Sequence, residues 1–157
     1  MDIRLLTVTR LNDHLDEIWS FIDGLSDDQL RNRPSSGSWS MWEIIRHLFE
    51  VQETHVVLLT QMLVEERPDA GPMCLDNHAG DRHLGGDLRT GMKEFERQRH
   101  NLVSLLGALT AQHWQREANH PSVMHFTVEK CMEGLMRHEE YHLYELYRIF
   151  FGAGRDG

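Results

Sequence analysis

Residues 138–142 read His-Glu-Glu-Tyr-His, a match to the H-E-x-x-H pattern with which zinc proteases set two imidazoles one helical turn apart. A protease of that kind takes its third ligand from further along the chain. Here the chain ends at Gly157 and no histidine follows His142, so a third ligand must come from upstream. The surrounding segment shows where to look. Val128, Cys131, Leu135, His138, His142 and Ile149 recur at three-four spacing, which puts both histidines on a helix face that should point into a core. Burying two imidazoles without partners would cost roughly 1–3 kcal/mol each, so something must compensate them.

A second helical segment supplies the partner. Ile44, His47, Val51, Leu58 and Met62 form its inward stripe, with His47 about two turns from the start. His142 lies about two turns from the end of the last helix. If the two helices run antiparallel, three neutral imidazoles meet at one end of a bundle. Three nitrogen ligands with an open position make the kind of metal site expected for catalysis. Glu139 is rotated by about 100° from His138, toward solvent or the surroundings of the site, and is given no role as a general base.

Four long periodic segments must carry this arrangement. The first spans about Arg4 to Leu25, with Leu11, Leu15, Ile18, Ile22 and Leu25 on one face, and Ser26 to Gln29 follows as a capping box. The second is announced by a Ser40–Glu43 capping box, with Trp39 and Ile44 as a hydrophobic staple, and runs to about Glu66. The third fits Asp87 to about Leu109, with Leu88, Met92, Phe95, Leu102 and Leu105 inward. The fourth fits Thr127 to Phe150, with Thr127 as N-cap. A few residues near Ser122 to Phe126 have strand character. The pattern is that of an all-α four-helix bundle forming one domain over residues 1–157. Residues 68–86, carrying Gly71, Gly80, Gly85, Gly86, Pro68 and Pro72, are long for a bundle connection. Extended chain covers about 3.3 Å per residue against about 1.5 Å in a helix, so this stretch can cross a whole helix. It therefore fits up-down-down-up, and as a surface loop it fits up-down-up-down.

Composition narrows the function. Sixteen Lys and Arg against 25 Asp and Glu give a net charge of −9, which disfavours nucleic acid and anionic membrane surfaces as partners. No apolar run reaches transmembrane length and the start lacks a signal-peptide core, so a cytoplasmic location is the expectation. Cys131 reads as core and Cys74 lies in the glycine-rich loop; the two make no disulfide framework. Around the histidines, Trp39, Tyr141 and Tyr144 are candidate pocket walls. His83, with His78, would reach the same end in the crossover topology. Glu43 and Glu50 lie one turn from His47, as candidates to orient its ring or as surface charges. His55 reads as a hydrogen-bonded core residue two turns away.

In combination, LSDDQLRNRPSSGSWSMWEIIRHLFEVQE (residues 25–53) and FTVEKCMEGLMRHEEYHLYEL (residues 126–146) resemble the DinB and YfiT-like superfamily of metal-binding four-helix bundles. The resemblance implies an up-down-down-up topology with a long crossover. It implies a divalent metal, zinc or nickel, on His47, His138 and His142, and a homodimer. It also implies a small-molecule substrate, with a low-molecular-weight thiol as a candidate, since some members are thiol transferases or isomerases. A metal-dependent hydrolase and a non-catalytic metal-binding module fit the same residues. Relatives often carry Gln or a further His just after the last ligand; Leu143-Tyr144-Glu145 stands here instead.

Overall fold

The structure is a computed structural model that describes residues 1–71 and 87–152. Cys74, His78 and His83 lie outside the described residues. The chain forms α1 (Ile3–Gly24), α2 (Asp27–Arg31), α3 (Met41–Val64), α4 (Leu88–Ala108), α5 (Ala111–Trp114), β1 (Glu117–Ala118), β2 (Phe126–Thr127) and α6 (Val128–Gly152). The long helices α1, α3, α4 and α6 are the expected four.

The starts of α2, α3 and α6 carry the expected caps. Ser26 and Ser40 each accept from the N3 amide while the N3 side chain, Gln29 or Glu43, accepts from the cap's own N–H. Thr127 Oγ1 accepts from Lys130 N at 3.2 Å. Strand pairing differs from the expectation around residues 122–126. It joins Glu117 to Thr127 and Ala118 to Phe126 in a short antiparallel ladder, and the intervening turn holds His125 at a φ of 49°.

Side-chain contacts give the helix directions. Arg4, His14 and Glu17 of α1 meet Glu129, Glu139 and Tyr147 of α6, so these two run parallel. Phe49 and Glu53 of α3 meet Phe95 and Gln98 of α4, again in parallel. Arg89, at the start of α4, donates to Ile22 O and Leu25 O at the end of α1, so α1 and α4 are antiparallel. His47 near the start of α3 meets His138 and His142 late in α6, which makes α3 and α6 antiparallel. The bundle is up-down-down-up. Among the described residues no helix is long and apolar enough to cross a membrane.

The core is divided. One apolar cluster, including Leu15, Ile18, Ile45, Leu48, Phe95 and Leu143, fills the end with the histidines. A second, including Leu11, Leu58, Leu102, Val128 and Leu135, fills the other. Between them lies a layer of buried polar side chains, one from each long helix: His14, Gln52, Arg99 and Glu139. Arg99 is fully buried and continues the inward stripe Leu88, Met92, Phe95, Arg99, Leu102, Leu106. That stripe corrects one expectation: Leu105 is 38% exposed and Leu106 is 2% exposed. The four-residue step from Leu102 keeps the inner face, whereas the three-residue step drifts off it.

Candidate metal centre

Ser40 ends the extended chain and starts α3, so His47 enters the core about two turns below the cap. Trp39, just ahead of the cap, is held over the same end of the bundle. The preceding turn closes with Ser38 N donating to Ser35 O at 3.1 Å, and Gly37 adopts a φ of 85° that residues with a Cβ rarely take. From α6, His138 and His142 arrive one turn apart. His47 and His142 are buried; His138 is half-buried.

The three imidazoles converge through the same ring atom. His138 Nε2 lies 3.2 Å from His47 Nε2 and 3.1 Å from His142 Nε2. A tetrahedral ion with metal–nitrogen bonds of about 2.0–2.1 Å would require its nitrogen ligands to stand roughly 3.3 Å apart. The donor set therefore fits a divalent metal ion that takes imidazole ligands. Burial, with the neighbouring rings of His142 and His47, pulls the pKa of His138 down to about 4. At neutral pH that ring is uncharged and has a lone pair to offer. The His triad could bind a metal ion.

The walls are unequal. Trp39 stacks on His142 at 6.2 Å with the planes 13° apart, and presents its edge to His47 at 5.1 Å. Tyr141 meets His142 edge-on at 5.1 Å, with much of its ring in solvent. Tyr144 stands apart: it is 63% exposed, and its ring lies 6.0 Å from the guanidinium of Arg148. Trp39 separates two clefts. The smaller, about 280 Å³, runs along α3 past Arg33, Glu43, Arg46 and Glu50 to His47. The larger, about 780 Å³, lies between the 32–39 loop and the end of α6, where Glu145 and Arg148 line it.

Three acidic residues nearby, Glu139, Glu145 and Glu43, have partners of their own. Glu139, of the H-E-x-x-H motif, is fully buried away from the triad and joined to Arg99 and to His14 Nδ1, the latter at 2.9 Å. Glu145 Oε2 lies 2.6 Å from His142 Nδ1. The sequence reading did not single out this pair, although the i, i+3 spacing placed both on one helix face. His55 is the core residue expected, with Nδ1 at 2.8 Å from Val51 O. Burial pushes the Cys131 thiol up to about 12, so it is no nucleophile at neutral pH.

Glu43 serves the cap and Arg33. Burial opposes its ionisation, but hydrogen bonds from Arg33 and from the Ser40 backbone outweigh burial and hold its pKa at about 2. A depressed carboxylate pKa stabilises the fold above the unfolded value near 4.5, and that contribution is lost as pH falls toward 2. Arg33 is more than half exposed, so most of the effect belongs to the cap. Glu43→Ala is expected to cost about 1 kcal/mol at pH 7, measured by urea unfolding. The difference from wild type should shrink steadily as pH falls from the unfolded value near 4.5 toward the folded value of about 2.

Comparison with known proteins agrees with this architecture. The chain is 26% identical over 146 residues to the uncharacterized protein YuaE of Bacillus subtilis (strain 168), covering 85% of this chain and 90% of YuaE. Its fold superposes with a TM-score of 0.78 on YfiT from Bacillus subtilis, described as a probable metal-dependent hydrolase with an unusual four-helix bundle topology. That match covers 96% of this chain and 87% of YfiT at 17% identity, and it bears on the fold. A model of the DinB superfamily matches residues 10–146, nearly the whole bundle with all three histidines inside it, and the chain belongs to that superfamily.

Proposed function

We propose that the chain is a divalent-metal-dependent enzyme that joins a low-molecular-weight thiol to a small electrophile, with zinc or nickel held by His47, His138 and His142. The observation that carries this reading is the convergence of three Nε2 atoms beside open clefts. Clefts of a few hundred Å³ suit small molecules rather than polypeptides. A divalent ion on three neutral ligands supplies a positive centre that favours the ionised form of a nucleophile. The chain's own residues favour a thiol over water in that role. Glu43, Glu139 and Glu145 are each engaged by a cationic or imidazole partner, and Glu43 is too acidic to take a proton at neutral pH. A thiol, with an ordinary pKa near 8.5, needs no separate base beside a positive charge. Among the described residues the one cysteine, Cys131, is buried, and in this reading the thiol is a second substrate. Arg33 and Arg46 at the smaller cleft suit carboxylates of a peptide-like thiol.

A second reading, hydrolysis of a small substrate, is favoured by the description of YfiT, whose fold this chain shares. One experiment separates the two. Metal-loaded protein is offered glutathione, bacillithiol or cysteine with a chloroarene or bimane electrophile, and in parallel p-nitrophenyl esters without thiol. The transferase reading expects metal-dependent thiol consumption and no ester cleavage above background. Ester cleavage without thiol, with no thiol consumed, would replace it by the hydrolase reading. Unfolded casein should remain intact in the same samples, because Glu139 is held in the core by Arg99. Metal-dependent casein cleavage that is lost in Glu139→Gln would restore the protease reading.

A further inference from the structure

We propose that Glu145 is a positioning residue that fixes His142 in the tautomer whose Nε2 faces the triad; this rests on the reading of the triad as a metal centre. A neutral imidazole carries one proton, so its Nε2 can offer a lone pair only when Nδ1 holds the hydrogen. His142 Nδ1 lies 2.6 Å from Glu145 Oε2, within hydrogen-bond reach of the carboxylate. A carboxylate in that place can only accept, so it stabilises the Nδ1–H form and leaves the ring's lone pair on Nε2.

The two histidines of α6 are not equivalent in this respect. His138 Nδ1 is buried and has no hydrogen-bond partner among the described residues. Ring stacking by Trp39 and an edge contact from Tyr141 hold the plane of the His142 ring, but neither contact selects a tautomer. That selection falls to Glu145. The side chain is one-third exposed and lines the larger cleft beside Arg148. The residue that orients the ligand is therefore also the acidic wall of the space a substrate would enter. It would disfavour an anionic group at that point and leave Arg148 as the place for one.

The test uses the full-length protein in two states. In metal-free protein at pH 8, long-range 1H–15N correlation spectra report the tautomer of each histidine, with His142 assigned by its loss in His142→Ala. Wild type should show Nδ1–H at His142. Glu145→Ala should lose that preference, and Glu145→Gln, whose amide oxygen accepts the same bond more weakly, should retain it in part. In metal-loaded protein, competition with a chromophoric chelator should show affinity weakened about 10–100-fold in Glu145→Ala and less in Glu145→Gln. Melting in excess chelator should be nearly unchanged, which separates positioning from folding. An Nε2–H tautomer in wild type, or affinity within twofold of wild type in Glu145→Ala while His142→Ala loses the metal, would overturn the assignment. If wild type binds no metal, the metal-centre reading falls, and the metal-free spectra still decide what Glu145 does to His142.

Discussion

Replacing His142 with alanine is expected to abolish binding of one divalent metal per chain, and so are the same changes at His47 and His138. Three nitrogens bring the ligand count to what an open catalytic site requires, and losing any one leaves two. The effect reaches folding, because a ligand that binds only the native state stabilises it by mass action. Metal at a thousandfold excess over its dissociation constant adds about 4 kcal/mol, which for a chain of this size raises the melting temperature by roughly 8–16 °C. Wild type melted at pH 7.5 with and without chelator should show such a gap. The triple alanine variant should show none and should melt close to chelated wild type, since the rings approach one another at the site. A triple variant that still holds one metal per chain at unchanged affinity would remove the assignment. Melting curves unaffected by chelator, with metal confirmed in the untreated sample, would argue as strongly against a buried three-histidine site.

The triad is legible in the sequence because histidines sit where apolar residues should. His47 and His142 interrupt stripes of Ile, Val and Leu at three-four spacing, and an interruption of that kind is visible without coordinates. The helix starts are legible for a similar reason: a serine three residues before a glutamate or glutamine is a local signal, and both capping boxes form in the structure. What the pattern hides are pairings between helices. Arg99 occupies an inward position of α4 as plainly as His47 does on α3. A stripe read as purely apolar skips from Phe95 to Leu102, and at its end takes Leu105 for Leu106. Glu139 lies about 100° from His138 on the helix wheel, which by itself suggests solvent or the surroundings of the site. That rotation instead carries it to α1 and α4, and only knowledge of which helices flank α6 shows that a cation waits there. Glu145 is a different case: its i, i+3 spacing puts it on the same face of α6 as His142, but spacing alone does not set the plane of the His142 ring that brings Nδ1 to the carboxylate. The helix directions themselves depend on the stretch 68–86, which admits two topologies until the contacts between helices choose one.

Arg99→Met is expected to be the most destabilising single change outside the apolar core. The guanidinium reaches every other long helix: Leu11 O on α1, Gln52 Oε1 on α3 at 2.6 Å, and both carboxylate oxygens of Glu139 on α6. Gln52 closes the layer by donating to Phe95 O on α4 at 3.2 Å, and His14 Nδ1 completes the carboxylate's partners. All four side chains are buried, so removing the cation leaves Glu139 in the core with only an imidazole beside it. Breaking a buried pair in this way typically costs about 3–5 kcal/mol, a large share of the roughly 5–15 kcal/mol that holds a domain together. The intact pair need not itself be worth that much, because its formation repays two desolvations. The double variant Arg99→Met/Glu139→Gln should therefore recover part of the loss, since the introduced amide keeps the volume and a partner for His14 while removing the stranded charge. Urea unfolding of wild type, both single variants and the double variant, all in chelator, gives the coupling energy free of any metal contribution. An Arg99→Met protein within about 1 kcal/mol of wild type would show that Arg99 is not needed to hold the buried Glu139 charge in the core. A double variant no more stable than Arg99→Met alone would show that the loss comes from packing around Arg99 rather than from the charge left on Glu139.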